Sequence, residues 1–208
     1  MDSFLDSAVV IGSLEYEYIK EQLRKKCFEQ VKNSNKILIS FVVEEELRRV
    51  IIKRREMYGK VLEKIKNPSF QIDHKSSRFL NRDDGLFAEG LYNQLKEEKP
   101  EELKKEMDLE LDFLRIALNA FLKNKINDIA IKKSELNKDI VSIIREFIED
   151  FADCQVLTSA IQMQQEREQF LFVTADKHFD SGNYDFVEEE LRLKEHKKPK
   201  LKNLLFES

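Results

Sequence analysis

The chain of 208 residues predicts an α/β fold in which a central, mainly parallel sheet is flanked by helices. Twice an apolar run hands over to an acid: Phe4-Leu5 before Asp6, and Phe170-Leu171-Phe172-Val173 before Thr174-Ala175-Asp176. A third run, Ile37-Leu38-Ile39, ends at Ser40, a good helix N-cap. Continuous apolar runs of this length suit strands covered on both faces, and parallel strands need helical crossovers between them.

Taken in order, the first strand ends near Asp6, at the carboxyl edge of a sheet, where open α/β folds bind ligands. Residues 14–32 place Leu14, Ile19, Leu23, Cys27 or Phe28, and Val31 at a roughly helical period, and Asn33-Ser34-Asn35 stops that helix. Lys36 to Ser40 is the second strand. The helix that follows buries Val43, Leu47, Val50 and Ile51. At about 100° per residue Glu45 points away from that stripe, whereas Glu44 and Glu46 both border it, and the period leaves the choice between them open.

Asn67 to Gly85 is polar and interrupted by Pro68, Ser76, Ser77, Asn81, Asp83 and Asp84, which predicts a loop with a short element around Phe70-Gln71-Ile72. Leu86 to Lys99 reads as a helix. Pro100-Glu101-Glu102 opens another, with proline at a permitted early position and acids beside the exposed amides. Its buried stripe is Leu103, Met107, Leu111, Leu114, Leu118 and Phe121 or Leu122. Ser134 is the expected cap of a helix carrying Ile140, Ile143, Ile144, Phe147 and Ile148. A further helix, continuous with it or broken near Phe151, runs through Cys154, Leu157, Ala160 and Ile161.

Composition bounds the function. With 41% hydrophobic residues and 15 phenylalanines the chain is too apolar to be disordered, although 37% of it is charged. No apolar run approaches a membrane span, the start carries neither a basic leader region nor a cleavage site, and Cys27 and Cys154 lack knuckle or disulfide spacing. A cytoplasmic protein without a membrane partner is the expectation. Only five glycines occur, and neither the P-loop nor the dinucleotide-binding glycine pattern is present, which disfavours a nucleotide-binding switch. No Ser-His-Asp or Cys-His arrangement stands out.

The formal net charge of -4 conceals segregation. Arg48 to Lys66 holds eight basic residues against Glu56 and Glu63, and Asp83 to Asp112 holds eleven acids against four lysines. Arg192, Lys194, Lys197, Lys198, Lys200 and Lys202 make the end of the chain basic again. Each run alone suits a solvated face or tail, but two basic runs flanking an acidic pocket would draw in phosphate.

Asp6, an acid in Glu44 to Glu46, Asp153 and Asp176 each stand beside an apolar stretch, where a compact fold can gather distant carboxylates, and the pattern predicts a divalent-metal site. The same residues carry a resemblance to the PIN-domain nucleases, the family that includes toxin ribonucleases. Phe4-Leu5-Asp6-Ser7-Ala8-Val9-Val10 resembles the family's opening strand and first catalytic aspartate. Ser40 to Leu47 resembles its second motif, in which a Glu-Leu pair follows the strand, and favours Glu46 over Glu44. Ala152-Asp153-Cys154 to Ala160 is similar to the third motif, and Thr174-Ala175-Asp176-Lys177-His178-Phe179 to the fourth.

The likeness covers residues 1–60 and 135–185. The chain departs from the compact toxin members between them, so residues 67–133 read as a helical insertion in a single PIN-like domain, 1–208, with 191–208 a basic tail or extension. The resemblance implies a three-layer core and an endoribonuclease that leaves a 5′-phosphate and a 3′-hydroxyl. It implies Asp6, Glu46, Asp153 and Asp176 as catalytic carboxylates holding one or two Mg2+ or Mn2+ ions per active site, which activate water and stabilise the leaving oxygen. RNA, a cognate antitoxin protein and a second copy of the chain are the partners it implies; the alternative is an RNA-binding or complex-organising protein with weak or no catalysis. Ser7, Thr174 and Asp150 are candidates to orient a carboxylate or water. His178 is read as peripheral, Asp180 as a turn residue and Cys154 as a core residue.

Overall fold

In the computed structural model, residues 1–16, 19–130, 133–166, 169–193 and 196–206 are described. Residues 131–132 of the expected insertion, and Lys194 of the expected tail, lie outside them. The chain divides into one unit formed by Met1–Leu47 and Ala120–Ser208, and a second formed by Arg48–Asn119.

The first unit is an α/β sheet structure. Strands β1 (Ser3–Leu5), β2 (Ile37–Ser40), β3 (Ile126–Ala130), β4 (Leu171–Thr174) and β5 (Lys200–Asn203) form one sheet in the order β3-β2-β1-β4-β5, and every pairing is parallel. The three central strands are those the apolar runs predict. β1 and β2 are buried throughout, and Phe4, Phe170 and Phe172 form an aromatic cluster with ring centroids about 6 Å apart at β1 and β4. Because the chain leaves β1 for β2 and β3 on one side and reaches β4 and β5 on the other, the order reverses between β1 and β4. In open parallel sheets a crevice forms there, beyond the carboxyl ends of the strands.

Helix α1 (Ser7–Glu15) begins one residue after Asp6 and is separate from α2 (Gln22–Asn33), where the sequence reading had a single helix over 14–32. The separation follows from Glu15, which is buried and accepts from Arg24 Nε at 2.8 Å, so the two segments pack face to face. Gly12 permits that approach, since a Cβ there would stand 3.0 Å from Cys27 Sγ. Ser40 Oγ accepts the Val43 amide at 3.1 Å and so starts α3 (Phe41–Lys66) as expected.

After α5 (Pro100–Asn124), β3 falls inside the segment read as a helical insertion and corrects that reading at Ile126–Ala130. It joins β2 through a register shift at Ile37/Leu38, where Asn127 Oδ1 accepts the Ile37 amide at 2.8 Å. Asn137, not Ser134, caps α6 (Lys138–Ile144), accepting the Asp139 amide at 2.9 Å, while Ser134 lies in a 3-10 turn. α7 (Phe151–Glu166) is a separate helix. A 3-10 turn at Lys177–Phe179 follows β4, then α8 (Ser181–Leu193) and β5, so the basic segment from residue 191 carries an edge strand. Cys27 and Cys154 are buried free thiols, Cys154 as expected on the core side of α7.

The second unit contains most of α3, α4 (Arg82–Leu95) and most of α5. Met57, Tyr58, Val61, Leu80, Ala88, Met107 and Leu111 form its core. Asn81 and Asp84 close a reciprocal capping box at the start of α4, and no helix or strand forms around Phe70-Gln71-Ile72. The charge segregation read as phosphate attraction has a local use here. Lys53 pairs with Asp84 at 2.9 Å, Arg54 with Glu110 at 2.9 Å and Lys64 with Glu89 at 2.8 Å, so the basic run of α3 meets the acidic run of α4 and α5 within this unit.

Candidate metal centre

Asp6 stands at the carboxyl end of β1, and its backbone amide continues the sheet bonding by donating to the Val173 carbonyl at 3.0 Å. Its carboxylate is tied down on both oxygens. Oδ1 accepts the Ser7 amide at 2.6 Å, capping α1, and Oδ2 accepts the Thr174 hydroxyl at 2.8 Å. Thr174 Oγ1 in turn accepts the Asp176 amide at 3.0 Å, so one fully buried hydroxyl links the acid after β1 to the acid after β4. The Ser7 hydroxyl stands 3.5 Å from Asp6 Oδ1, at the limit of a hydrogen bond, and its amide is the stronger contact.

Asp176 caps the 3-10 turn by accepting the His178 amide at 2.8 Å. Phe179, three residues on, is buried edge-on against Phe172 and anchors that turn to the core. From the neighbouring strand Asn203 clamps the same turn: its Nδ2 donates to the Asp176 carbonyl at 2.8 Å and to the Phe179 carbonyl at 2.9 Å. Asp153 enters from the first turn of α7. Asp150 caps that helix by accepting the amides of Ala152 at 2.7 Å and Asp153 at 3.2 Å, so it fixes Asp153 through the backbone, and its charge acts on the Asp153 carboxyl.

Electrostatics show that the expected carboxylates share one field. Burial is the largest influence on Asp6 and raises its pKa from 3.8 to about 7; the charge of Asp153 adds, the Thr174 hydrogen bond opposes, and Glu46 and Asp176 add further. Glu46 is the acid of α3 whose charge acts on Asp6; Glu44 and Glu46 are both half-buried and Glu45 is exposed, as the helical period requires. Asp153 is also pushed to about 7, by burial first and by the charges of Asp176 and Asp150, against a hydrogen bond from His178.

His178 is the residue whose role sequence reasoning missed. Its Nδ1 lies 2.8 Å from Asp153 Oδ2 and 3.3 Å from Asp176 Oδ1. Burial lowers its pKa, but the hydrogen bond to Asp153 and the charges of Asp176 and Asp153 outweigh that and the net displacement is upward. Asp153, Asp176 and His178 present donor atoms all within 4.8 Å of one another, a group able to hold a metal ion. The available signal was its place two residues after Asp176, inside a turn short enough to fold back on its own cap. Asn203 gave no signal at all.

The oxygen and nitrogen donors of Asp153, Asp176 and His178 are chemically suited to a metal ion. The donor atoms that come together are those of Asp153, Asp176 and His178; Asp6 is joined to them through the Thr174 hydroxyl and through the charges of Asp153 and Asp176, and Glu46 reaches Asp6 by its charge. A cavity of about 960 Å³ elsewhere in this unit, lined by Met1, Phe170 and Lys200 among others, lies at the amino ends of the strands and includes none of these residues. Among the described residues no helix is long and apolar enough to cross a membrane. No protein-family model, curated protein or solved structure matches the chain.

Proposed function

We propose that the chain is a metal-dependent endoribonuclease of the PIN type, hydrolysing phosphodiester bonds in RNA. The observation that carries this reading is the approach of the Asp153, Asp176 and His178 donor atoms to within 4.8 Å of one another, with Asp6 linked to Asp176 through the Thr174 hydroxyl, at the carboxyl edge of a parallel sheet and on acids that the motif resemblance singles out. These four would hold Mg2+ or Mn2+. Such ions supply Lewis acidity and activate water at neutral pH.

The chain's own residues prepare the site. Thr174 fixes the Asp6 carboxylate and couples it to the Asp176 loop; Asp150 sets the first turn of α7 and with it Asp153; Asn203 and Phe179 hold the turn carrying Asp176 and His178. Asp6 and Asp153 must give up protons to act as ligands, so loading strengthens as pH rises through about 7. The test is cleavage of mixed RNA with Mg2+ or Mn2+ by the wild type and by Asp6→Asn. Loss of metal-dependent cleavage in the variant is expected, and equal activity in both would refute the assignment. A toxin role is the narrower form: expression of the chain alone arrests bacterial growth, and unimpeded growth despite confirmed ribonuclease activity removes it.

A second reading, a complex-organising protein, has its own observation. Leu109, Phe113 and Ile116 on α5 are each more than half exposed at a spacing that puts them on one helix face. Phe113→Glu should then abolish self-association or partner capture while leaving RNA cleavage intact; unchanged association removes the reading.

A further inference from the structure

Resting on the metal-centre reading above, we propose that His178 is itself a metal ligand and that, with Asp153 and Asp176, it forms a mixed nitrogen and oxygen subsite that selects a first-row transition ion over Mg2+. The geometry is the first support. Nδ1 stands 2.8 and 3.3 Å from one oxygen of each aspartate. Around an octahedral ion with bonds of about 2.1 Å, neighbouring donors are about 3.0 Å apart. Nδ1 is therefore spaced from one oxygen of each aspartate as adjacent ligands are, and all three atoms lie within 4.8 Å of one another, so one ion could reach them together.

The second support is how the imidazole is held. The His178 amide bonds to Asp176 Oδ1 at 2.8 Å, and Asn203 and Phe179 fix the turn on either side, so the ring is delivered to the two carboxylates by backbone constraints. Donor chemistry then decides the ion. Mg2+ takes oxygen ligands and keeps its waters, whereas imidazole suits the transition ions, whose affinity for nitrogen sites rises along the series from Mn2+. An all-oxygen centre would discriminate less.

The experiment uses the full chain with Mn2+ as the probe. Titration calorimetry should give Mn2+ binding at least about tenfold tighter than Mg2+, and electron paramagnetic resonance of the Mn2+ complex should show coupling to a nitrogen. His178→Asn keeps an amide donor near the place of Nδ1 while removing the imidazole. It should lose the nitrogen coupling and weaken Mn2+ by about tenfold or more, with Mg2+ binding little changed. Absence of nitrogen coupling in the wild type, or an Asn variant with wild-type Mn2+ preference, overturns the proposal and leaves His178 as a support for Asp153. A circular dichroism spectrum identical to wild type excludes misfolding as the cause of any loss. RNA cleavage without nitrogen coupling defeats this inference alone; nitrogen coupling without cleavage defeats the nuclease reading alone; no Mn2+ binding defeats both.

Discussion

Replacing Asp6 by Asn should make the metal-free protein more stable at alkaline pH while removing its response to metal. A carboxyl whose pKa stands at about 7 instead of 3.8 is harder to ionise by roughly 4 kcal/mol. Between about pH 4 and pH 7 the native chain retains a proton that the unfolded chain has released, so native stability falls as pH rises through that window; the penalty is complete above it and absent below it. Asp153 titrates over the same range, and because each charge acts on the other the two penalties do not simply add. Asn carries no charge, its oxygen can still accept the Ser7 amide, and its nitrogen can donate to the free lone pair of Thr174 Oγ1. At pH 8 with chelator, Asp6→Asn should gain about 2–4 kcal/mol, roughly 5–15 °C in Tm for a chain of this size. At pH 4 the gap should shrink to below about 1 kcal/mol. The chain has no tryptophan, so unfolding is followed by far-ultraviolet circular dichroism. Adding Mn2+ at about 100 times its dissociation constant should stabilise the wild type by about 2.7 kcal/mol and the variant by much less. A variant no more stable than wild type at pH 8, or an advantage that does not diminish toward pH 4, would refute the account of Asp6 as a buried carboxyl held against its charge.

Other changes probe the supports of the centre. Thr174→Val removes the hydrogen bond that favours ionised Asp6, so the pH at which Mn2+ half-saturates the protein should move upward, measured by titrations across pH; an unchanged midpoint contradicts that role. Asn203→Ala strands two carbonyls and should cost about 1–3 kcal/mol by denaturant unfolding, with weaker Mn2+ binding because the Asp176 turn loosens. Gly12→Val drives a side chain into Cys27 and should destabilise by about 1–3 kcal/mol, partly recovered by adding Cys27→Ala; no recovery would place the strain elsewhere.

The legible parts of the fold are those whose burial leaves a continuous apolar trace. β1, β2 and β4 lie inside the sheet, and Phe4-Leu5, Ile37-Leu38-Ile39 and Phe170 to Val173 record it. β3 and β5 are edges. Asn127 is exposed and serves a register shift, and β5 reads Lys200-Leu201-Lys202-Asn203, so their sequences resemble an insertion and a basic tail. The pairing of the basic run of α3 was illegible for a related reason, since charge order along the chain does not reveal that the opposite run folds back to meet Lys53, Arg54 and Lys64. Helical period correctly separated Glu45 from its neighbours but contains no information about which neighbour faces Asp6; that depends on where α3 stands against β1, and only the fold supplies it.

Asp150, Asp153, Asp176 and His178 illustrate how capping and ligand chemistry compete for the same residue types. A carboxylate at a helix start satisfies orphan amides, and a carboxylate at a metal satisfies a cation. Asp150 has its Oδ1 on two amides of α7, which makes it a cap. Asp176 takes the His178 amide and also faces Nδ1 of the same residue, so capping and clustering coincide there. Asp153 differs from both: its carboxylate points to a histidine and to other acids, and burial raises its pKa. A residue that stabilises the fold as a cap should be costly to remove at every pH, whereas one retained for binding should become less costly, or favourable, to remove as pH rises and its charge is enforced. Comparing Asp150→Ala, which removes the capping oxygen, with Asp153→Asn, which removes only the charge, across pH in chelator therefore sorts the two acids by what they do. If both variants follow the same pH profile, the separation of cap from ligand fails.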